Sequence, residues 1–103
     1  MSDAASQGAA DAGVGTLRRK LGIANKRGLH ARAAAKFVRT AGQFDAVIRV
    51  GFKGQEVSGL SIMGLMMLSA GIGSEIEVVC SGRQAVDAMA ALSALVESKF
   101  GED

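Results

Sequence analysis

The sequence predicts an α+β domain of element order β-α-β-β-α-β-α, with amphipathic helices on one face of a small, mostly antiparallel sheet. Three observations predict it. An alanine-rich stretch, His30 to Thr40, repeats apolar residues at helical spacing. "DAVIRVGFKGQEVSG", Asp45 to Gly59, alternates around Gly54 as a hairpin of two short strands does. "GSEIEVVCSG", Gly73 to Gly82, alternates Ile76, Val78 and Cys80 against Glu75, Glu77 and Val79, and a wide apolar stripe follows it.

In chain order, "TLRRKLGIAN" (Thr16 to Asn25) mixes polar and apolar residues and ends in a turn cluster; its second half reads as the first strand. The first helix has Ala31, Ala34, Ala35 and Val38 as its apolar stripe, with Arg32, Lys36 and Arg39 on another face, and Ala41-Gly42 ends it. After the hairpin, "SIMGLMMLSA" places Ser61 at an N-cap before a short apolar helix weakened by Gly64. The strand of Gly73 to Gly82 leads to a last helix, for which Ser81 and Gln84 read as a capping box. Ala85, Ala88, Met89, Leu92, Leu95 and Val96 form its wide apolar stripe.

The 103 residues suffice for one domain. The Ala/Gly/Ser/Asp-biased start, residues 1–15, reads as a disordered tail, and 16–103 as the single domain. That start lacks the basic and apolar blocks of a signal peptide. The longest apolar region, Leu60 to Ile72, is too short to span a bilayer. A cytoplasmic protein without membrane insertion is expected. One cysteine, Cys80, allows no internal disulfide and reads as a small buried hydrophobe. With one His and one Cys, no ligand-like spacing appears, so neither metal nor cofactor is expected.

The net charge of +2 conceals a division. Residues 14–53 hold ten Lys/Arg and one Asp, net +9; residues 54–103 hold two Lys/Arg and seven Asp/Glu, net −5; the first thirteen add −2. The basic half holds the chain's one histidine, His30, and attracts acidic groups or phosphates.

His30 sits in "NKRGLHARAAAKF", at the seam between a turn and a helix. At the N-cap, the backbone N–H groups of Ala31, Arg32 and Ala33 lack partners inside the helix and carry partial positive charge. An imidazolium is repelled there, which favours the neutral, nucleophilic ring. The same N–H groups welcome a phosphoryl group. Arg32 adds a planar fork of donors, and Gly28 lets the chain turn sharply. The pattern suits a phosphorylatable histidine. It also suits a histidine that simply caps or faces water, with Arg32 a solvated charge, and composition alone favours that plainer reading.

"GLHARAAAKFV", followed by "VSGLSIMGLMMLSAGIGSEIEVVCSG", resembles the histidine-containing phosphocarrier (HPr) family of the bacterial phosphoenolpyruvate:sugar phosphotransferase system. The resemblance covers roughly residues 16–100. It implies an open-faced β-sandwich, a four-stranded antiparallel sheet with three helices on one side. It implies that His30 is phosphorylated on Nδ1 by enzyme I, that Arg32 and the Ala31 N–H steady the phosphate, and that an enzyme IIA component accepts it. It makes Ser61 the position of a regulatory serine, modified by a serine kinase/phosphatase. Two departures stand out: Ala33 where many members have proline, and Leu60 where many have lysine. The first, with the Ala-rich helix, resembles proteobacterial members, including those of nitrogen-related branches.

"SIMGLMML" carries six large apolar residues in eight positions. Leu65 and Leu68 read as the inward pair. Ile62, Met63 and Met66 then lie outward, near His30 if the resemblance in fold holds, and read with Arg39 as docking residues for successive partners. A carrier with several partners is expected to be a monomer. Two other readings compete: a regulatory module that never transfers phosphate, and a small basic nucleic-acid-binding domain. Against the latter, Phe37, Phe44 and Phe52 are too few to stack bases along a basic groove, and no nucleic-acid partner is expected.

Overall fold

A computed structural model describes residues 16–102; the expected tail, 1–15, lies outside the described residues. The elements are β1 (Leu17–Gly22), α1 (Ala31–Ala41), β2 (Val47–Phe52), β3 (Gln55–Ser58), α2 (Ile62–Met67), β4 (Glu75–Ser81) and α3 (Ala85–Glu97), closed by a 3₁₀ turn at Lys99–Gly101. The four strands form one sheet in the order β1-β4-β2-β3, and every neighbouring pair is antiparallel.

β4 lies between β1 and β2. Its inward residues Ile76, Val78 and Cys80 are fully buried, as the alternation predicts. Burial pushes the Cys80 thiol up from its ordinary 9.0, the behaviour of a packing group and not a reactive one. Ile48 and Val50 of β2 and Leu21 of β1 complete the sheet's contribution to the core. The helices add Phe37 from α1, Leu65 from α2, and Leu92 and Val96 from α3, and the connections and closing turn add Ile23, Leu29, Leu68 and Phe100. The opposite face of the sheet is open, with Arg18–Glu77 at 3.4 Å and Arg49–Glu56 at 3.2 Å upon it. The hairpin turns at Lys53 and Gly54, both at positive φ (50° and 81°), the backbone of a two-residue type I′ turn. Among the described residues, no helix is long and apolar enough to cross a membrane.

Four local expectations are corrected. The first strand occupies the first half of Thr16–Asn25, not the second; its register runs from Leu17↔Cys80 to Gly22↔Glu75. Its alternation is masked because Arg19 takes an inward position between Leu17 and Leu21. At this sheet edge the guanidinium still escapes the core, donating to Ser93 Oγ (3.0 Å) and lying 3.6 Å from Glu97. The buried stripe of α1 is Ala33, Ala34, Phe37 and Ala41, while Ala31 is exposed. The bulk of Phe37 decides which side faces inward. Gly42 ends α1 at φ −70°, without the left-handed conformation a C-terminal glycine often supplies. Finally, Ser81 and Gln84 form no capping box. Ser81 is the last rung of β4, opposite Val47. Gln84 is the N-cap of α3, but its Oε1 accepts from the Asp45 N–H (2.7 Å), stapling the α1–β2 connection to the α3 entry.

Candidate functional site

The approach to α1 is fixed before His30 is reached. The side chain of Asn25 is fully buried, and its Nδ2 donates to the Gly28 carbonyl at 2.8 Å. Gly28 has φ +63°, and a Cβ there would stand 2.5 Å from the Ala70 oxygen and 2.7 Å from Gly71 Cα. Only glycine meets both conditions. The close crossing lets the Leu29 N–H donate to Ala70 O at 2.9 Å and buries the Leu29 side chain. His30 is thus carried on a backbone clamped against the segment that leaves α2.

His30 is the N-cap of α1, with extended backbone (φ −77°, ψ 178°), and its carbonyl accepts the first helical bond, from Ala34 N–H at 2.8 Å. Its ring makes no cap bond. The first-turn N–H groups of Ala31, Arg32 and Ala33 therefore keep the anion-attracting character of a helix start.

The ring is engaged elsewhere. His30 Nε2 lies 2.6 Å from Glu102 Oε2, and both side chains are mostly covered, at 14% and 18% exposure. Glu102 Oε1 accepts from Asn25 Nδ2 at 3.1 Å. The carboxylate is delivered by the 3₁₀ turn, whose Phe100 is fully buried and whose Phe100 carbonyl accepts from Lys36 Nζ at 2.6 Å. Burial pushes the Glu102 carboxyl up from its ordinary 4.5. The hydrogen bonds from His30 and Asn25, with the charges of His30 and Lys36, outweigh that and hold it below. An ionised carboxylate only accepts, so Nε2 carries the ring hydrogen and the neutral ring's lone pair is at Nδ1. A shallow depression of about 250 Å³ adjoins, lined by Lys26, Arg27, Arg32 and Glu102. Its three cations suit an anion bound beside Glu102. A larger hollow of about 510 Å³, among Lys20, Phe52, Lys53, Glu75 and Glu77, includes none of the predicted site residues. Among the described residues, no group of three or more His, Cys, Asp or Glu stands where it could hold a metal ion.

A family model described as the PTS HPr component phosphorylation site matches residues 17–98. The chain belongs to the HPr family. It is 46% identical over 86 residues to the phosphocarrier protein HPr of Cupriavidus necator, covering 84% of this chain and 97% of that protein. It is 43% identical to the phosphocarrier protein NPr of Shewanella violacea, covering 84% and 94%. Among solved structures, HPr from Thermoanaerobacter tengcongensis superposes with a TM-score of 0.81 at 41% identity, over 84% of this chain and 98% of that one. An HPr dimer from the same organism gives 0.68 at 44% identity, over 80% and 94%. The expected HPr fold, four antiparallel strands and three helices, is the one observed. As an HPr-family chain the protein is a phosphocarrier of the phosphotransferase system, not a stand-alone enzyme.

The other predicted residues divide between the two ends of the α1–α2 pair. The His30 end of α1 meets Ala70, beyond the C-terminus of α2. At the other end, a Cβ on Gly42 would reach Leu60 at 4.0 Å, just before α2 begins. The helices therefore run antiparallel. Ser61 and Arg39 belong to one end and His30 and Arg32 to the other, separated by most of the eleven-residue α1, about 15 Å. Ser61 is the N-cap of α2, its Oγ accepting from Gly64 N–H at 2.9 Å. Leu65 and Leu68 are buried, while Ile62 (40%), Met63 (70%) and Met66 (37%) are exposed. Met67 (72%) and Leu60 (56%) extend that apolar surface beyond the predicted set.

Sequence reasoning missed Glu102 and Asn25, and with them Lys26 and Arg27. The cations had a signal, two charges immediately before Gly28. Glu102 had none, because 72 residues separate it from His30.

Proposed function

We propose that this protein is a monomeric, cytoplasmic carrier, residues 16–103 forming its one working domain, that receives a phosphoryl group on His30 Nδ1 from enzyme I and passes it to an enzyme IIA component. The observation that carries this reading is the state of the one histidine: it starts a helix it does not cap, its Nε2 is bonded to Glu102, and Glu102 in turn shares a depression with Lys26, Arg27 and Arg32. Nδ1 is then the nucleophile. The Ala31 N–H and the Arg32 fork receive the phosphoryl oxygens, and nothing encloses them. Ile62, Met63 and Met66, with Met67, Leu60 and Arg39, form the surface on which enzyme I and enzyme IIA dock in turn. Flexible methionines suit several partners.

In this reading Ser61 is a regulatory position for a serine kinase/phosphatase. A phosphate on its Oγ stays at a helix N-terminus, where negative charge is tolerated, and places about two negative charges beside the apolar docking surface.

The test is labelling from phosphoenolpyruvate with enzyme I and Mg²⁺. Wild type is expected to gain one acid-labile, base-stable phosphate and His30→Ala none, while His30→Ala still unfolds in one cooperative transition, lowered by the loss of the Glu102 bond. Undiminished acid-labile labelling of His30→Ala would end the reading.

A further inference from the structure

We propose that Glu102 is a positioning residue of phosphoryl transfer, acting through the His30 ring: its carboxylate holds the ring hydrogen on Nε2 whether Nδ1 is empty or loaded. This rests on the reading of His30 as the acceptor. The geometry is that of a built clasp. Glu102 Oε2 meets Nε2 at 2.6 Å, and Oε1 is held by the buried Asn25 amide. The backbone just before it is pinned by the buried Phe100 side chain and by Lys36 Nζ on the Phe100 carbonyl. The core itself orders this turn through Phe100, so the carboxylate reaches the ring from a fixed backbone.

The chemistry says what the clasp does. In loading, the Nδ1 lone pair forms a bond to phosphorus while the donor's N–P bond breaks and its electron pair returns to the donor nitrogen. No proton moves. His30 becomes an Nδ1-phosphoryl imidazolium with its hydrogen still on Nε2, and the ring's positive charge faces the Glu102 carboxylate. In unloading, the Nδ1–P bond breaks and its pair returns to the ring, which leaves as neutral imidazole because Nε2 is still protonated. Without the carboxylate two states open. The empty ring can put its hydrogen on Nδ1, where no lone pair remains to attack. The loaded ring can lose the Nε2 hydrogen and would then have to leave as imidazolate, a far poorer leaving group. A carboxylate that fixes an imidazole tautomer and stabilises the imidazolium is a recurring catalytic arrangement. Here it acts on transfer in both directions.

The experiment uses the full chain in three variants, Glu102→Leu, Glu102→Gln and Glu102→Asp, each checked by a melting curve. The first readout is the ¹⁵N NMR tautomer of the unphosphorylated ring about two pH units above histidine's ordinary value of about 6.5. Wild type is expected almost wholly as the Nε2–H form. Glu102→Leu gains a measurable Nδ1–H fraction, and Glu102→Gln, whose one amide oxygen cannot accept from both Nε2 and Asn25 Nδ2, gains a smaller one. The second readout is the pH at which Nε2 of the phosphorylated ring titrates. Glu102 meets it from the 3₁₀ turn; the charges around that carboxylate are Lys26 and Arg27 from the preceding loop and Arg32 from α1, which line the depression with it, and Lys36 of α1, whose charge acts on it. The midpoint is expected to fall by about one unit in both Glu102→Gln and Glu102→Leu, which lack the counter-charge, and to recover in part in Glu102→Asp. The third is the transfer rate to enzyme IIA, lower by about tenfold in Glu102→Leu, the lower end for an outer carboxylate. Normal labelling with an unchanged tautomer and midpoint in Glu102→Leu overturns this proposal alone and reduces Glu102 to a C-terminal clasp. Absence of phosphohistidine in wild type overturns the carrier reading and this proposal together.

Discussion

The two helix starts that face opposite ends of the α1–α2 pair are built in opposite ways. Ser61 caps its own helix, with Oγ on the Gly64 N–H at 2.9 Å. His30 occupies the same structural position on α1 and caps nothing; its ring is turned onto Glu102. One start is satisfied locally and needs only a hydroxyl. The other leaves its N–H groups available and needs a distant carboxylate, a buried Asn25 and the close crossing at Gly28 to hold the ring. A helix start can therefore be stabilised or kept receptive, and keeping it receptive takes residues from far along the chain.

The largest way to break the contrast is Gly28→Ala. The new Cβ would stand 2.5 Å from the Ala70 oxygen, on a backbone at φ +63°. Neither the backbone oxygen nor Gly71 can move aside cheaply, so the crossing must open. A loss of about 3 kcal/mol in denaturant unfolding is expected, from overpacking and left-handed strain together. The transfer rate should fall with it, because the ring moves with Leu29. A loss below about 0.5 kcal/mol, the range of an ordinary surface change, would mean that the loop is adaptable and that His30 is not clamped.

Arg32→Ala sharpens the receptive end without unfolding it. Arg32 is exposed and lines the depression beside Glu102. Its removal should slow loading and unloading without abolishing either. Lysine should restore only part of the rate, since it offers a point charge and no fork. Equal rates in wild type and Arg32→Ala would mark the arginine as a solvated bystander.

How legible these features were depends on how local their cause is. β4 was readable because its neighbours cover one face and every second residue answers to that alone. The start of α2 was readable because a cap acts over three residues. β1 was obscured by Arg19, whose escape at the sheet edge cannot be seen without α3 beside it. The supposed capping box failed because Ser81 was needed by the sheet and Gln84 by Asp45, both non-local demands. The candidate site shows the same division. His30 and Arg32 stand three positions at most from the helix start and were evident. Glu102 reaches the ring only after the whole domain has folded.

The carboxylate's charge offers a pH test. The Glu102 carboxyl lies below its ordinary 4.5. A depressed carboxyl contributes stability that is fully present above the ordinary value and lost as pH falls through the folded value. Between about pH 6 and about pH 3, wild type should therefore lose more stability than Glu102→Gln, and the two unfolding curves should converge at the acid end. Parallel losses across that range would show that the carboxylate contributes nothing to the folded state through its charge. The Ser61 end, with no carboxylate at its cap, should be indifferent to the same titration.

The smallest expected effects, and the sharpest test of the locally satisfied end, come from Ser61 itself. Ser61→Ala removes the acceptor for Gly64 N–H and should cost about 1 kcal/mol, the usual value of an N-cap. Ser61→Asp keeps a side-chain oxygen at that position and adds negative charge where the helix favours it, so its stability should match or slightly exceed wild type. Binding should show the reverse order. The alanine leaves Ile62, Met63 and Met66 as they are, whereas the aspartate sets a charge beside surface that a partner must dehydrate. His30 lies about 15 Å away along α1, beyond the roughly 8 Å Debye length at physiological salt. The charge should therefore act on docking and leave the chemistry of the ring alone. Calorimetric titration against enzyme I is expected to give weaker binding for Ser61→Asp and unchanged binding for Ser61→Ala, with the same labelling level in both once enzyme I is saturating. Equal affinities for the two variants would remove Ser61 from the docking surface. A labelling defect that persisted at saturation would mean instead that the two ends of the helix pair are coupled, and that the separation drawn between them is wrong.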